Sequence, residues 1–272
     1  MSTQQSARIA FIGAGNMAAS LVGGMLARGF DAGQLTMTDI SSERLQQLKA
    51  QYGVAVTGSN ADAARNADVI LLAVKPQQMA EVCTGLAPAL QGRQPLVVSI
   101  AAGIPIAKIQ GWLGGVAVVR CMPNTPALVQ MGATGLYASA QVSAAQRALA
   151  QSMLDAVGIA LWLDSEDQID AVTALSGSGP AYFFLVMEAM IAAGRALGLD
   201  ENMSRQLTLQ TALGAAQMAI TSSDDPAELR RKVTSPGGTT QAALNVFEAA
   251  QTRDIFLKAL LAARDRSREL AG

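Results

Sequence analysis

The clearest chemical motif stands near the start of the chain, where Gly13-x-Gly15-x-x-Ala18 directly follows the apolar run Arg8 to Ile12. Glycines at this spacing allow a tight turn and the close approach of a pyrophosphate, and Ala18 allows tight packing of the following helix. An ordinary glycine turn would use the same residue types, but the preceding strand and the following βα pattern favour a dinucleotide. The residues expected to bind it here are Gly13, Ala14, Gly15, Asn16 and Met17.

An acidic residue, Asp39, ends the second predicted strand, where a carboxylate usually meets the ribose of the adenosine. Its charge favours a free 2′-hydroxyl, as in NADH, and repels the 2′-phosphate of NADPH. Four nearby residues would bind that phosphate if the Asp39 side chain turned away: Ser41, Ser42, Arg44 and Asn60. Charge alone therefore leaves the choice of nicotinamide cofactor open.

Two later strand ends carry residues of the same kind. In open α/β sheets, ligands bind outside the carboxyl ends of the strands. Taken singly, a solvated lysine or an ordinary helix start explains each segment equally well. The residues expected at the cofactor are Val74, Lys75 and Pro76 after one strand, and Ala101, Ala102 and Gly103 after the next.

Three further clusters combine small polar residues with turn formers: "RCMPNTP" from Arg120, "LSGSGP" from Leu175 and "VTSPGGTT" from Val233. Ser or Thr ahead of a helix can accept hydrogen bonds from its free N–H groups, and Pro and Gly mark turns. Capping and turn formation explain each cluster alone. In particular, the hydroxyls before the helix predicted from Thr239 are expected to cap it.

The composition limits the chemistry. The chain has no histidine, which excludes Ser-His-Asp and Cys-His nucleophiles and the usual zinc sites. Its two cysteines, Cys83 and Cys121, suggest buried thiols rather than a disulfide or a metal site, and no metal is expected. A net charge of -1 with scattered basic residues gives no reason to expect nucleic acid as a partner.

These motifs need elements to position them, and the first half of the chain alternates apolar strands with helices. Strands without polar alternation are buried on both faces, which predicts a Rossmann-type, doubly wound parallel sheet. The strands are expected at 8–12, 35–39, 54–56, 69–74, 96–100 and 116–120, with two β-like pieces at 134–138 and 159–163. The helices between them are expected at 16–28, 42–51, 77–90 and from about residue 143.

After Asp164 only helical patterns remain, so we expect a dinucleotide-binding domain over residues 1–164 and an all-α domain over 165–272. The helices are expected at 167–197, 201–221, 225–232, 239–250 and 253–270. They are apolar nearly all round, which favours burial in a subunit interface over a tightly packed monomer.

Targeting signals and membrane spans are not expected. The best apolar run, Tyr182 to Ala193, is interrupted by Glu188 and followed by Arg195. The polar N-terminal tail leads directly into a strand without a signal-peptide pattern. The cytoplasm is the expected location.

The chain resembles the pyrroline-5-carboxylate reductase family over essentially its whole length. Six segments in the family's order carry the resemblance: "GAGNMA", "AVKPQ", "SIAAGI", "RCMPNTP", "DAVTALSGSGPAYFF" and "AELRRKVTSPGGTTQAALNVFE". The resemblance implies a Rossmann domain and a helical domain that interlocks with a second subunit, often in a decamer of dimers. It also implies NAD(P)H-dependent reduction of L-1-pyrroline-5-carboxylate to L-proline, the last step of proline biosynthesis.

The resemblance also suggests roles for single residues. The N–H groups around Gly238, Thr239 and Thr240 would hold the substrate carboxylate, as helix N-termini hold anions. Thr240 would hydrogen-bond the ring nitrogen. Ser176 and Ser178 would line the pocket, with Met122, Pro123 and Asn124 beside the nicotinamide. The family commonly uses NADPH, so NADPH is the expected cofactor, and Asp39 keeps NADH open.

Two rival functions are weaker. A β-hydroxyacid dehydrogenase or imine reductase has the same architecture, but hydroxyacid oxidation needs a base, usually a Lys on the first long helix of the second domain. The segment from Ser176 to Leu197 contains no Lys. A catalytically silent NAD(P)-binding sensor is disfavoured by the six intact motifs.

Overall fold

The computed structural model describes residues 7–271 and contains one eight-stranded sheet. Its strands are β1 (Ile9–Ile12), β2 (Leu35–Thr38), β3 (Ala55–Thr57), β4 (Val69–Leu72), β5 (Leu96–Ser99), β6 (Ala117–Met122), β7 (Gly132–Ala138) and β8 (Gly158–Trp162). They lie in the order β3-β2-β1-β4-β5-β6-β7-β8. All eight predicted strands therefore exist, with ends that differ by one or two residues.

The first six strands are parallel, as predicted. Strand β7 pairs antiparallel with β6, and β8 pairs parallel with β7, so the last two strands run against the others. The connection from β6 to β7 is the short segment 123–131, which holds a 3-10 turn. Parallel neighbours need a crossover of about a dozen residues or more, whereas an antiparallel pair does not.

The sheet is buried on both faces because successive residues of a strand point to opposite sides. In β1, Ile9 and Phe11 belong to one apolar cluster, whereas Ala10 and Ile12 belong to another. All four are at most 1% exposed. This explains the continuous apolar runs from which the strands were predicted.

Twelve α-helices are present in the described residues: α1 (Asn16–Ala27), α2 (Ser42–Tyr52), α3 (Asn60–Ala64), α4 (Met79–Leu86), α5 (Ile106–Leu113), α6 (Ala144–Asp155), α7 (Gln168–Val172), α8 (Gly179–Ala196), α9 (Glu201–Thr221), α10 (Pro226–Lys232), α11 (Thr239–Ala249) and α12 (Thr252–Ala271). The prediction of one helix over 77–90 is wrong at both ends. Proline-containing 3-10 turns, Pro76–Gln78 and Ala87–Leu90, flank the shorter α4. The predicted helix over 167–197 is divided by a π-helical segment, Thr173–Gly177.

The chain forms two compact units. The first extends to Ser178 and includes the chain again from Ala263, and the second is Gly179–Ala262. The domain boundary after residue 164 stays a prediction. The division into compact units comes later in the chain, because Ile169 and Ala174 are buried at 1% and 3% exposure in the first unit.

The second unit exposes many apolar side chains. On α8, Phe183, Phe184 and Leu185 are 58–68% exposed, whereas the buried residues of α9 are polar, Ser204 and Thr208. The continuous helical stretch Gln168–Ala196 is, by length and composition alone, apolar enough to cross a membrane. Although Glu188 interrupts the apolar run, an 18-residue window of this stretch reaches a mean hydropathy of 1.2.

Candidate functional site

The glycine motif forms a turn that other residues would not fit. Gly13 has φ +98°, and a Cβ there would lie 2.8 Å from the carbonyl oxygen of Ala73. The Gly13 N–H donates to the carbonyl oxygen of Thr38 at 3.1 Å. By contrast, a Cβ at Gly15 would have no neighbour within 4 Å, so the space in front of this residue is open. The turn is thus fixed at Gly13 and accessible at Gly15.

Helix α1 begins directly behind this turn without a side-chain cap. Its N-cap is Gly15, and no side chain accepts a hydrogen bond there. In the described part of the chain, the N–H groups of Asn16, Met17 and Ala18 have no acceptor. Free N–H groups and the helix dipole make this end suitable for a phosphate.

Asp39 does not turn away from the glycine motif. Its Oδ2 accepts a hydrogen bond from the Ala14 N–H at 3.0 Å, and its Oδ1 accepts one from the Ser41 N–H at 2.9 Å. Arg44 donates from Nε to the carbonyl oxygen of Ala14 at 3.1 Å. The carboxylate of Asp39 therefore binds the N–H of Ala14, and the guanidinium of Arg44 binds its carbonyl oxygen. Asp39 thus helps to position the glycine loop.

Asn60 also lies beside the end of β2. Its Oδ1 accepts a hydrogen bond at 2.5 Å from the buried hydroxyl of Thr38, the residue before Asp39. Sequence proximity alone did not predict this contact. It places the first residue of α3 near the predicted ribose side of the site.

Strand register brings the other predicted cofactor residues to the same edge of the sheet. Ile12 pairs with Thr38 and with Leu72, Leu72 pairs with Ser99, and Ser99 pairs with Arg120. Each predicted segment follows one of these strand ends. They are Gly13 to Met17 after β1, Asp39 after β2, Val74 to Pro76 after β4, Ala101 to Gly103 after β5, and Met122 and Asn124 at the end of β6.

Asn124 connects two of the polar clusters. Its Nδ2 donates to the carbonyl oxygen of Ser176 at 3.0 Å, and its Oδ1 accepts from the Ala133 N–H at 2.8 Å. A Cβ on Gly177 would lie 2.8 Å from the terminal methyl of Met122. The clusters "RCMPNTP" and "LSGSGP" are therefore in contact, although Asn124 and Ser176 are 52 residues apart. Ser176 Oγ donates to the carbonyl oxygen of Val172 at 3.1 Å.

The remaining predicted residues, Gly238, Thr239 and Thr240, lie at the start of α11 in the second unit. The expectation that hydroxyls cap this helix is wrong. The N-cap is Gly238, with no side-chain hydrogen bond, whereas α2, α6, α9 and α10 are capped by Ser41, Ser143, Asp200 and Asp225. Since α11 begins at Thr239, the N-cap position falls on Gly238, which has no side chain, and Gly237, with φ +69°, stands between it and Ser235.

The free donors at this helix end are consequently available. Across residues 7–271, no acceptor is present for the N–H groups of Thr239, Thr240 and Gln241. The loop starts after Lys232, whose amine pairs with Asp224. The hydrogen bond that Lys232 donates to the carboxylate of Asp224 raises the pKa of Lys232, so this lysine stays charged beside the loop.

The first unit buries both thiols and the charged side chain of Arg120. Cys83 and Cys121 are free and buried, as predicted, and burial raises their pKa values to about 11 and about 12. Sequence analysis missed the pairing of Arg120 with Glu166, whose Nη1 and Oε1 are 2.9 Å apart. A signal existed, because a charged residue in the apolar strand "VAVVR" requires a partner when buried.

Comparison with known families gives two matches that together cover most of the chain. A model described as "Pyrroline-5-carboxylate reductase dimerisation" matches residues 166–270. A model described as "NADP oxidoreductase coenzyme F420-dependent" matches residues 8–103.

Individual relatives match over nearly the full length. The chain is 60% identical to a pyrroline-5-carboxylate reductase of Pseudomonas aeruginosa over 97% of both chains. Its structure is similar to that of a Coxiella burnetii pyrroline-5-carboxylate reductase, with 46% identity, a TM-score of 0.95 and coverage of 98% and 99%. A Plasmodium falciparum pyrroline carboxylate reductase with NADP bound gives 28% identity, a TM-score of 0.87 and the same coverage.

Proposed function

This chain belongs to the pyrroline-5-carboxylate reductase family, and we propose that two helix N-termini, those of α1 and α11, bind the anionic groups of its cofactor and its substrate. The enzyme reduces L-1-pyrroline-5-carboxylate to L-proline, the last step of proline biosynthesis. The observation that carries the assignment is shared by both helices. Each begins at a glycine N-cap, and neither has a side chain that satisfies its first N–H groups.

The residues present fit a dinucleotide at the carboxyl edge of β1, β2, β4 and β5. The open space in front of Gly15 and the free N–H groups behind it suit a pyrophosphate. We assign Asp39 and Asn60 to the ribose side and the segments from Val74 and Ala101 to the nicotinamide side. When bound, reduced nicotinamide supplies the hydride for the imine carbon of the substrate.

The substrate carboxylate is assigned to the N–H groups around Gly238, Thr239 and Thr240, and the ring nitrogen to the Thr240 hydroxyl. The Gly238 N–H already donates to the carbonyl oxygen of Ser235 at 3.0 Å, so within the described residues those of Thr239 and Thr240 are the free donors. Support for these assignments is the start of α11, which offers donors and no competing side-chain acceptor. Ser178, Ser176 and Met122 are assigned to the pocket wall. Asn124 is assigned there too, although its amide already bonds to Ser176 and Ala133.

Chemistry of this kind does not need a histidine. If the cyclic imine binds in its protonated form, the carbon that is reduced is already electrophilic and the product amine already carries its proton. The chain then has to orient the ring and exclude competing geometries, which is an effect of proximity rather than of acid–base catalysis. The absence of histidine from the sequence is consistent with this division of labour.

NADPH is the cofactor of this enzyme, and NADH stays plausible because of Asp39. Two features act in opposite directions. The carboxylate of Asp39 is held in place and disfavours a 2′-phosphate, whereas the guanidinium of Arg44, held at Ala14, favours one. We propose that the preference for NADPH is moderate.

The chain contains a dimerisation domain and forms an oligomer. We propose a homodimer through α8 to α12, assembled further into a decamer, with a small-molecule substrate and no membrane or nucleic-acid partner. Support comes from the exposed phenylalanines of α8, which a second subunit would cover. We propose the cytoplasm as the location, to be tested by cell fractionation.

The direct test is a spectrophotometric assay. Oxidation of NADPH and of NADH is followed at fixed protein concentration with and without L-1-pyrroline-5-carboxylate, and L-proline is identified as the product. We expect substrate-dependent oxidation with both cofactors and faster turnover with NADPH. Tight cofactor binding without turnover would instead support the silent sensor.

A further inference from the structure

Arg120 is a buried charge inside the sheet. It lies in β6 and is 4% exposed, and its Nη1 donates to Glu166 Oε1 at 2.9 Å. Its Nε is buried, with no hydrogen-bond partner among residues 7–271. A guanidinium stays protonated in proteins, so Glu166 supplies the charge that makes its burial tolerable.

The same oxygen of Glu166 also caps a helix. Glu166 Oε1 accepts a hydrogen bond at 2.8 Å from the N–H of Ile106, the first residue of α5. The local N-cap is Pro105, which has no side-chain acceptor. A residue 60 positions away therefore does what a neighbouring Ser or Asp does at other helices.

The two groups held by Glu166 belong to two strand ends at the proposed nicotinamide side. Ile106 is the last residue of the segment 101–106, which follows β5 and includes Ala101 and Gly103. Arg120 lies two residues before Met122, the end of β6. In the same segment, the backbone of Gly103 lies close to Leu270, since a Cβ there would be 3.2 Å from the carbonyl oxygen of Leu270. The segment 101–106 is thus held by Glu166 at its Ile106 end.

We propose that Glu166 is a positioning residue for reduction: through one carboxylate oxygen it holds the segment 101–106 against the end of β6. The proposal rests on the proposed function for its link to turnover. Glu166 itself does not touch the reacting atoms. Its effect is on the alignment of the segments proposed to lie at the nicotinamide. Small misalignments of this kind lower turnover more than binding.

Two double variants distinguish the role of Glu166 as a hydrogen-bond acceptor from its role as the charge partner of Arg120. Arg120→Met with Glu166→Gln removes both charges and keeps an oxygen acceptor for the Ile106 N–H. Arg120→Met with Glu166→Met removes the same charges and also the acceptor. Neither leaves an unpaired buried charge, so both are expected to fold.

We expect the Gln double variant to keep kcat within about threefold of the parent and the Met double variant to lose about tenfold or more, with less change in KM. Hydrogen–deuterium exchange of peptides covering 101–106 should be faster only in the Met variant. The control Asp68→Asn weakens an ion pair with Arg8 before β4 and β1, at the opposite ends of the strands, and should leave both readouts unchanged.

Equal kcat and equal exchange in the two double variants would overturn the proposal and leave Glu166 as a stabilising contact only. If the Met double variant proved unfolded, Arg120→Met with Glu166→Ala would replace it, because this pair also removes both charges and the acceptor for the Ile106 N–H. Exchange at 101–106 faster than in the Gln double variant would support the acceptor role, and equal exchange would refute it. A parent protein that failed to reduce L-1-pyrroline-5-carboxylate would refute the proposed function. The exchange comparison would still decide whether Glu166 holds the segment.

Discussion

Thr240 has the most specific assignment of any single residue in the proposed site. It lies in the first turn of α11, is partly exposed, and its hydroxyl has no partner in the described part of the chain. A hydroxyl that is free in the unliganded protein can donate or accept when the substrate binds. The local structure therefore permits the role that the resemblance suggests.

Thr240→Ala removes that hydroxyl and should lower kcat/KM for L-1-pyrroline-5-carboxylate by about 10- to 100-fold, the cost of about 1.5–3 kcal/mol for a hydrogen bond to a charged group. Cofactor affinity, measured by fluorescence titration, should stay unchanged. The matched control is Thr240→Ser, which keeps the hydroxyl and should retain most activity. Parent-like kinetics for Thr240→Ala would show that the assignment is wrong.

Asp39 is expected to affect both the choice between the two cofactors and the affinity for each of them. Kinetics of one substitution can distinguish these two effects. Asp39→Ser removes a negative charge near the proposed ribose side, so the ratio of KM values should shift toward NADPH by about threefold or more. It also removes an acceptor from the Ala14 N–H or the Ser41 N–H, so affinity for both cofactors should fall. Steady-state kinetics with NADPH and NADH measure both. The control is Asp39→Asn, which also removes the charge but keeps the side-chain length.

An unchanged ratio in both variants would mean that Asp39 only positions the glycine turn. A changed ratio without a loss of affinity common to both cofactors would mean the opposite, that it only discriminates between the cofactors. The structure supports both effects together, because the carboxylate bonds to the motif and also carries the charge.

At the scale of elements, α1 is set in place by a close backbone approach. A Cβ on Gly24 would collide with the carbonyl oxygen of Ala156 and lie 2.7 Å from a methyl of Val157. The helix proposed to present its N–H groups to the cofactor is therefore positioned from its far end by the segment before β8. The G-x-G-x-x-A motif fixes only the near end.

Gly24→Ala should lower the free energy of unfolding by about 1–3 kcal/mol, because the backbone of 156–157 cannot give way. The matched control is Gly85→Ala in α4, where a Cβ meets nothing within 4 Å. That change should raise stability by about 0.5–1 kcal/mol, since alanine loses less backbone entropy than glycine in a helix. Urea unfolding of both variants measures the pair, and equal midpoints would contradict the packing argument.

Elements were predicted well where the signal is local and poorly where it is not. Apolar runs of four or more residues identified β1, β4 and β5, and Asp200 and Asp225 mark the starts of α9 and α10. The start of α11 misled, because Ser235 and the threonines suggested a side-chain cap. The N-cap position falls on Gly238, which carries no hydroxyl, and the left-handed backbone of Gly237 stands between it and Ser235.

At the scale of the whole molecule, the helical second unit, Gly179–Ala262, leaves many apolar side chains exposed. Phe183, Leu207 and Leu213 are each more than half exposed, and Gly194 lets α8 and α9 approach closely, with a would-be Cβ 2.9 Å from Ser204 Oγ. Helices with apolar residues on several faces need cover beyond a single neighbouring helix.

Light scattering during size-exclusion chromatography of the parent protein should therefore give a mass well above the 28.1 kDa of one chain. Phe183→Asp places a charge on the exposed face of α8 and should lower both the mass and Tm, because an unpaired charge is costly in an interface. Gln46→Glu, on an exposed position of α2, is the control and should change neither. A monomeric parent would contradict the proposed homodimer.

The sequence by itself determined the features that depend on residue type and short spacing. These are the apolar strands, the glycine turn before α1, the helical second half and the ordered segments that resemble the reductase family. The tertiary structure decided the direction of β7, the two hydrogen bonds of Asp39, and the contacts of Asn124 with Ser176 and of Glu166 with Arg120. Residue types at short spacing determine the preference for a strand, a turn or a helix. The partner of a buried polar group is instead set by chain segments that meet only in the fold.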